Sequence, residues 1–173
     1  MHRKTMNKFT FIILLFTLTF YNCVTKKQNV HSKFQGMWKL DKFETFDTSL
    51  GIWTEDTTRI GYSGFIIYDG IGHMSVHLLP KDYKNLNVNI DIDTLNLESL
   101  KRLTQLYSSN YVYFATYNLS DTLVEHTIVS ATDPKRYGNV FTRKFNFKND
   151  TLILTPKVAN SDNKLRLKWV KVQ

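Results

Sequence analysis

The stretch "YSGFIIYDGIGHMSVHLLP", residues 62–80, carries the pattern on which the fold turns. Its halves, "YSGFIIYDG" and "GHMSVHLLP", meet at Asp69-Gly70-Ile71-Gly72, a joint of turn-forming residues. In the second half Met74, Val76 and Leu78 alternate with His73, Ser75 and His77. On an extended chain this spacing puts the apolar set on one face and the polar set on the other. Two such runs across a short Gly-rich joint predict an antiparallel hairpin.

The same grammar extends in both directions. Upstream, "MWKLDKFETF" (37–46) reads as a strand with Trp38 and Leu40 on one side. Downstream, "YVYFATYNL" and "TLVEHTIVSA" flank Ser120-Asp121, "NVFTRKFNF" and "TLILTP" flank Lys148-Asn149-Asp150, and "KLRLKWVKV" follows. Eight strands joined mostly by short connections place sequence neighbours side by side. One segment departs: Leu97, Leu100, Leu103, Leu106 and Tyr107 fall at helical spacing, with Asp93 or Thr94 as the expected cap and "SSN" as the stop. Eight antiparallel strands in up-and-down order leave two unpaired edges, and closing the sheet removes both. The expected fold is therefore all-β, a closed up-and-down barrel of about eight strands with one short inserted helix. An open sandwich is the competing arrangement. A barrel of eight strands has an interior that side chains nearly fill, or that holds one small ligand.

Composition agrees with one folded domain. The chain has 173 residues, 42% of them hydrophobic and 22% charged, with 12 Phe and 9 Tyr against 7 Gly and 3 Pro. Its formal charge is +8, but Arg3, Lys4 and Lys8 lie in the first eight residues, and every acidic residue lies at Asp41 or later. Without residues 1–22 the balance is about +5, spread along the chain. No basic helix, zinc-knuckle spacing or RNP-like run accompanies it, which argues against a nucleic-acid partner.

The N-terminus has its own logic. "MHRKTMNK" carries three fixed positive charges, and the 12-residue apolar run "FTFIILLFTLTF" follows and ends at "YNC". Charge followed by an apolar core is the layout of an export signal, and the run is shorter than the ~20 residues of a spanning helix. Cys23, the single cysteine, excludes an internal disulfide. Its place at the end of the apolar run resembles a bacterial lipoprotein signal, which implies lipidation at Cys23 and a membrane-anchored protein of the cell envelope. The expected organisation is a signal peptide over 1–22, a flexible tether over 23–33 and a barrel over 34–173.

Within the barrel region, Gly36-Met37-Trp38 opens a Tyr- and Gly-rich meander. This G-x-W start, with "GMWKLDKFE", "SGFIIYDGIGHMSVHLL", "YFATYNLSDTLVEHTIVSA", "GNVFTRKFNFKNDTLILTP" and "LKWVKV" in that order, resembles the bacterial lipocalin-like domain family. The resemblance implies a calycin-type barrel whose Trp38 plugs the closed end beneath a basic side chain of the last strand, Arg166 or Lys168. Gly36 would let the chain enter that floor closely. The family further implies binding of a small, mostly apolar molecule, with no catalytic residues and no cofactor to carry over.

Polar residues on inward faces mark the candidate site. Alternation through "NVFTRKFNF" puts Arg143 on the face of Phe141, Phe145 and Phe147. An interior guanidinium must find partners, either a ligand's acidic head or protein acceptors. In "TLVEHTIV", His126 shares a face with Val124 and Ile128, and pairing Ile128 with Arg143 would bring His126 diagonally beside it. Tyr113 and Tyr117 share a face with Ala115 between them. Tyr113, Tyr117, His126 and Arg143 are thus the expected ligand-binding group. Other patterns give way on inspection. His73 and His77 sit four apart on a strand, roughly 13 Å, too far to clasp one ion. Asn87, Asn89, Asp91, Asp93 and Glu98 mimic a calcium loop, but Ile92 stands where its turn needs Gly. No G-x-S-x-G or H-E-x-x-H occurs, and no metal site is expected. The sequence reads as a binding protein for a small hydrophobic or amphiphilic molecule and not as an enzyme. An envelope interaction module with a filled core is the alternative, and a cofactor-free cyclase or isomerase stands behind it.

Overall fold

The computed structural model describes residues 30–81, 83, 93, 96–157 and 164–173. The expected signal peptide, Cys23 and residues 24–29 of the tether lie outside them, as does most of the calcium-like stretch. Residues 30–34 are helical and belong to a unit separate from 35–173, which is the barrel.

The strands are β1 (Gly36–Asp47), β2 (Ile52–Glu55), β3 (Ser63–Tyr68), β4 (His73–Leu79), β5 (Tyr111–Leu119), β6 (Leu123–Ala131), β7 (Val140–Lys148), β8 (Thr151–Pro156) and β9 (Leu165–Lys171), with one helix, α1 (Leu97–Ser109), before β5. Every pairing is antiparallel, and β9 returns to β1 through Trp38–Thr45 and Leu165–Lys171, so eight strands close on themselves. The sequence does not predict β2. It extends the edge of β1 beyond β3: Gly36–Lys39 pair with β3, and Glu44–Asp47 pair with β2.

The alternation works as expected. Met74 and Val76 of β4 are buried while His73 and His77 are exposed on the outside. Those histidines take separate partners, His73 Nδ1 on Asp69 at 2.6 Å and His77 Nε2 on Asn110 at 3.3 Å. A bulge at Asp41, between Leu40 and Lys42, shifts the parity of β1, so Phe43 faces inward along with Trp38 and Leu40. Gly64 has φ +155°, and a Cβ there would stand 2.2 Å from the backbone oxygen of His77, so only Gly permits the close approach of β3 to β4.

Trp38 is 2% exposed at the closed end. Its basic cover is Lys171, the residue opposite it on β9, with Nζ 5.1 Å from the ring centroid. This corrects the assignment to Arg166 or Lys168. Trp169 faces inward opposite Leu40, so 166 and 168 must face outward while 171 shares Trp169's side. Outside the barrel, Arg166 and Lys168 hold the Glu44 carboxylate at 2.5 and 2.7 Å, and Arg166 also lies over Trp53. Gly36 has φ +116°, and a Cβ there would only touch Lys171 Cε at 3.4 Å. Backbone conformation, more than crowding, is the reason for Gly.

The two ends of the barrel differ in their connections. Short turns close the Trp38 end. In one, the Asp69 carboxylate accepts the backbone N–H groups of Ile71, Gly72 and His73 at 2.8–3.0 Å. Partial burial opposes ionisation there, but these hydrogen bonds and His73 outweigh it and hold the Asp69 carboxyl at about 2. The other end carries the long connections and α1. Asn96 caps α1 by accepting from Ser99 N at 2.9 Å, in place of the expected Asp93 or Thr94. No residue of α1 is buried, and Leu97, Leu100 and Tyr107 are exposed.

Candidate functional site

The barrel encloses a cavity of about 490 Å³ toward the end bearing α1. Phe43, Ile66, Val76, Leu78, Leu154, Leu167 and Trp169 supply apolar wall. Arg59, Tyr62, Ser108 and Ser109 contribute polar groups from the β2–β3 connection and the end of α1, and Tyr113 and Arg143 contribute them from the strands. No carboxylate lines it among the described residues.

The register of β6 against β7 differs from the expectation. Val124, not Ile128, lies opposite Arg143, and Phe141 lies opposite His126. The 132–139 connection reaches farther than a minimal turn, with Gly138 N bonded to Ile128 O, and this moves the pairing by four residues along β6. An even slip preserves which side chains face inward. His126 therefore still stands diagonal to Arg143.

Behind the cavity wall is a fully buried histidine. His126 is 0% exposed, with Tyr113 Oη 2.9 Å from Nδ1, Arg143 Nη1 3.2 Å from Nδ1 and Tyr68 Oη 3.0 Å from Nε2. A guanidinium can only donate, so Nδ1 is the acceptor and the ring proton sits on Nε2, donated to Tyr68 Oη. Burial, then the Arg143 charge, holds the His126 pKa well below its ordinary 6.5, so the ring is neutral. Burial also pushes the Tyr113 hydroxyl up to about 12 and Tyr68 well above its usual value.

Of the four residues expected from sequence, Tyr113, His126 and Arg143 come together, but only Tyr113 and Arg143 line the cavity. Tyr117 does not join them: it is buried edge-on against Tyr68, with ring centroids 5.0 Å apart. Tyr68 is the member that the sequence reading missed. Its signal lies in "YSGFIIYDG", where it falls two residues after the buried Ile66 and so on the same face. Arg143 also reaches the Phe141 carbonyl at 3.4 Å, but no carboxylate pairs with it among the described residues. Arg59, by contrast, is paired with the buried Asp56 and lies over the Phe43 ring.

The closed up-and-down barrel, with a cavity whose wall mixes apolar side chains with Arg59 and Arg143, has the lipocalin-like fold. The sequence agrees: residues 35–172 match the lipocalin-like domain family, and the chain belongs to it. No protein of curated function matches the chain. Three solved structures are similar at low identity. An uncharacterized protein from Bacteroides eggerthii is 12% identical with a TM-score of 0.41, covering 80% of this chain and 99% of its own. Fatty-acid-binding protein 1 of Echinococcus granulosus is 16% identical with a TM-score of 0.37, covering 82% and 99%. The Schistosoma mansoni fatty acid binding protein, in complex with arachidonic acid, is 19% identical with a TM-score of 0.38, covering 83% and 98%.

Proposed function

We propose that this barrel sequesters a small, single-chain amphiphile with an acidic head, its tail in the cavity and its head on Arg143. The observation that carries this reading is a guanidinium with no carboxylate partner among the described residues, set in the wall of a 490 Å³ cavity that Phe43, Ile66, Val76, Leu154 and Trp169 help to line. A half-buried cation without a counter-charge is only partly solvated, and an anionic guest supplies one. At roughly 30 Å³ per water-sized group, the cavity takes a guest of about 16 non-hydrogen atoms. Such room favours a carrier over an interaction module with a filled core. The buried, cavity-excluded His126 counts against an isomerase that would use it on substrate.

Calorimetry with a saturated fatty acid of 12 to 14 carbons tests the reading directly. The unaltered protein is expected to bind, and Arg143→Met to lose most of that affinity while keeping its circular dichroism. Equal affinity in the two proteins would dismiss Arg143 as the head-group partner. Native mass spectrometry of the purified protein should reveal a co-purifying amphiphile of similar size.

Export and anchoring are part of the same proposal and rest on the sequence alone. A carrier lipidated at Cys23 would work at the face of a membrane, where its guests reside. Cys23→Ala should move the protein from the membrane fraction to the soluble one. A membrane fraction unchanged by that substitution would count against the anchor.

A further inference from the structure

Arg143 belongs to two spaces at once. Besides the internal cavity, it lines an open recess of about 390 Å³ that shares Tyr111 and Pro156 with the cavity and adds Val140, Phe141, Thr142 and Lys157. The recess therefore adjoins the cavity at the guanidinium. It carries two cations, Arg143 and Lys157, together with the hydroxyls of Tyr111 and Thr142, and no carboxylate lines it among the described residues. The Lys157 backbone N–H donates to Thr142 O at 2.9 Å, which ties the start of the β8–β9 connection to β7 and holds Lys157 at the recess. No carboxylate pairs with Lys157 among the described residues, in contrast to Arg59 and Arg166, which each hold an acid.

A carboxylate offers two oxygens and one charge, and Arg143 alone would answer it. The recess provides a second cation and more room than a carboxylate fills. The geometry points to a two-part site in which the tail of a single-chain amphiphile occupies the cavity and a phosphate head occupies the recess, held between Arg143 and Lys157. This rests on the carrier reading above and specifies its guest as a phosphate-headed, one-chain lipid. A phosphate head has three or more acceptor oxygens and up to two charges, which suits two separate cations where a carboxylate would leave Lys157 unused. Free phosphate shares the head chemistry but lacks the tail, so it should bind far more weakly.

The experiment compares three probes on the full chain by calorimetry: a lysophosphatidic acid, a fatty acid of the same chain length and inorganic phosphate. It is run on the unaltered protein, Lys157→Ala and Arg143→Met. Lys157 is exposed, so its replacement should leave the fold intact. The expected result is tighter binding of lysophosphatidic acid than of the fatty acid, with Lys157→Ala weakening the former about tenfold and the latter less than twofold. Arg143→Met should weaken both. If Lys157→Ala leaves lysophosphatidic acid unchanged, or affects both lipids equally, the head site is overturned while the carrier reading stands. If neither lipid binds, the carrier reading fails with it. Inorganic phosphate binding as tightly as the lipid would overturn the two-part site in favour of a surface anion site.

Discussion

The two halves of the barrel use the same strands for opposite ends. Toward the short turns, Trp38, Tyr68, Tyr117, Val124, His126 and Leu152 are all nearly or wholly buried, and rings meet rings. Toward α1, Phe43 of β1, Leu78 of β4 and Leu165 and Leu167 of β9 line the cavity, and the connections lengthen. The exposed large apolar side chains of the connecting segments follow this division. Among the described residues, Leu50, Ile60, Leu97, Leu100, Tyr107 and Tyr137 lie at the cavity end, and Ile71 lies in a turn at the other. The layer joining the halves is Tyr68–His126–Tyr113, and Arg143 stands on its cavity side.

If that division is real, damage to the two halves should separate. The largest expected effect is Trp38→Ala, which removes a side chain 2% exposed and should destabilise the fold by about 3–5 kcal/mol in urea unfolding. A loss below 1 kcal/mol would deny Trp38 its role as plug. Next comes Arg143→Met, which should reduce affinity for an anionic amphiphile at least tenfold, a change of about 1.5–3 kcal/mol, with a much smaller effect on stability. Comparable losses in both measurements would erase the distinction between the halves.

The joining layer should show itself through pH. His126 is neutral in the fold, with its pKa held well below 6.5 by burial and then by Arg143, while the unfolded chain protonates near 6.5. Below that value the unfolded state takes up a proton that the folded state refuses, so stability is complete above pH 6.5 and falls as the pH drops toward the depressed folded value. The groups facing the ring are Tyr68 from β3, Tyr113 from β5 and Arg143 from β7, and none supplies a negative charge near neutral pH. In His126→Phe this acid slope should vanish, although overall stability drops because two tyrosine hydroxyls lose a partner. Parallel slopes in the two proteins would mean that folding leaves the His126 pKa unshifted. The smallest effect should come from Lys171→Met, where losing the cation over Trp38 removes about 0.5–1 kcal/mol. Guest binding in that variant should be unchanged.

Much of this plan was legible in the sequence because a strand's side-chain period is two. Misplacing β6 against β7 by four residues leaves His126 and Arg143 on the inward face, so a wrong register still yields the right neighbours. The same rule hides whatever changes parity. The bulge at Asp41 has no Gly or Pro to announce it, and it alone brings Phe43 into the cavity wall. Strand β2, "IWTE", has four residues with none buried, too short to display an alternation. Lys171 was missed in favour of Arg166 and Lys168 because choosing among three basic residues requires the pairing of β9 with β1, a contact between distant parts of the chain. Of the cavity itself the sequence shows only its materials. Its size depends on how far apart the inward side chains finally stand.

The seam between β1 and β9 has a consequence for how the molecule comes into being. Leu40 waits for Trp169, and Trp38 for Lys171, so the first strand laid down by the ribosome finds its second neighbour only after nearly everything else has been made. Closure of this kind pairs residues remote along the chain and is correspondingly slow. Until it happens the nascent sheet carries two bare borders and a greasy interior open to water, the form most exposed to aggregation.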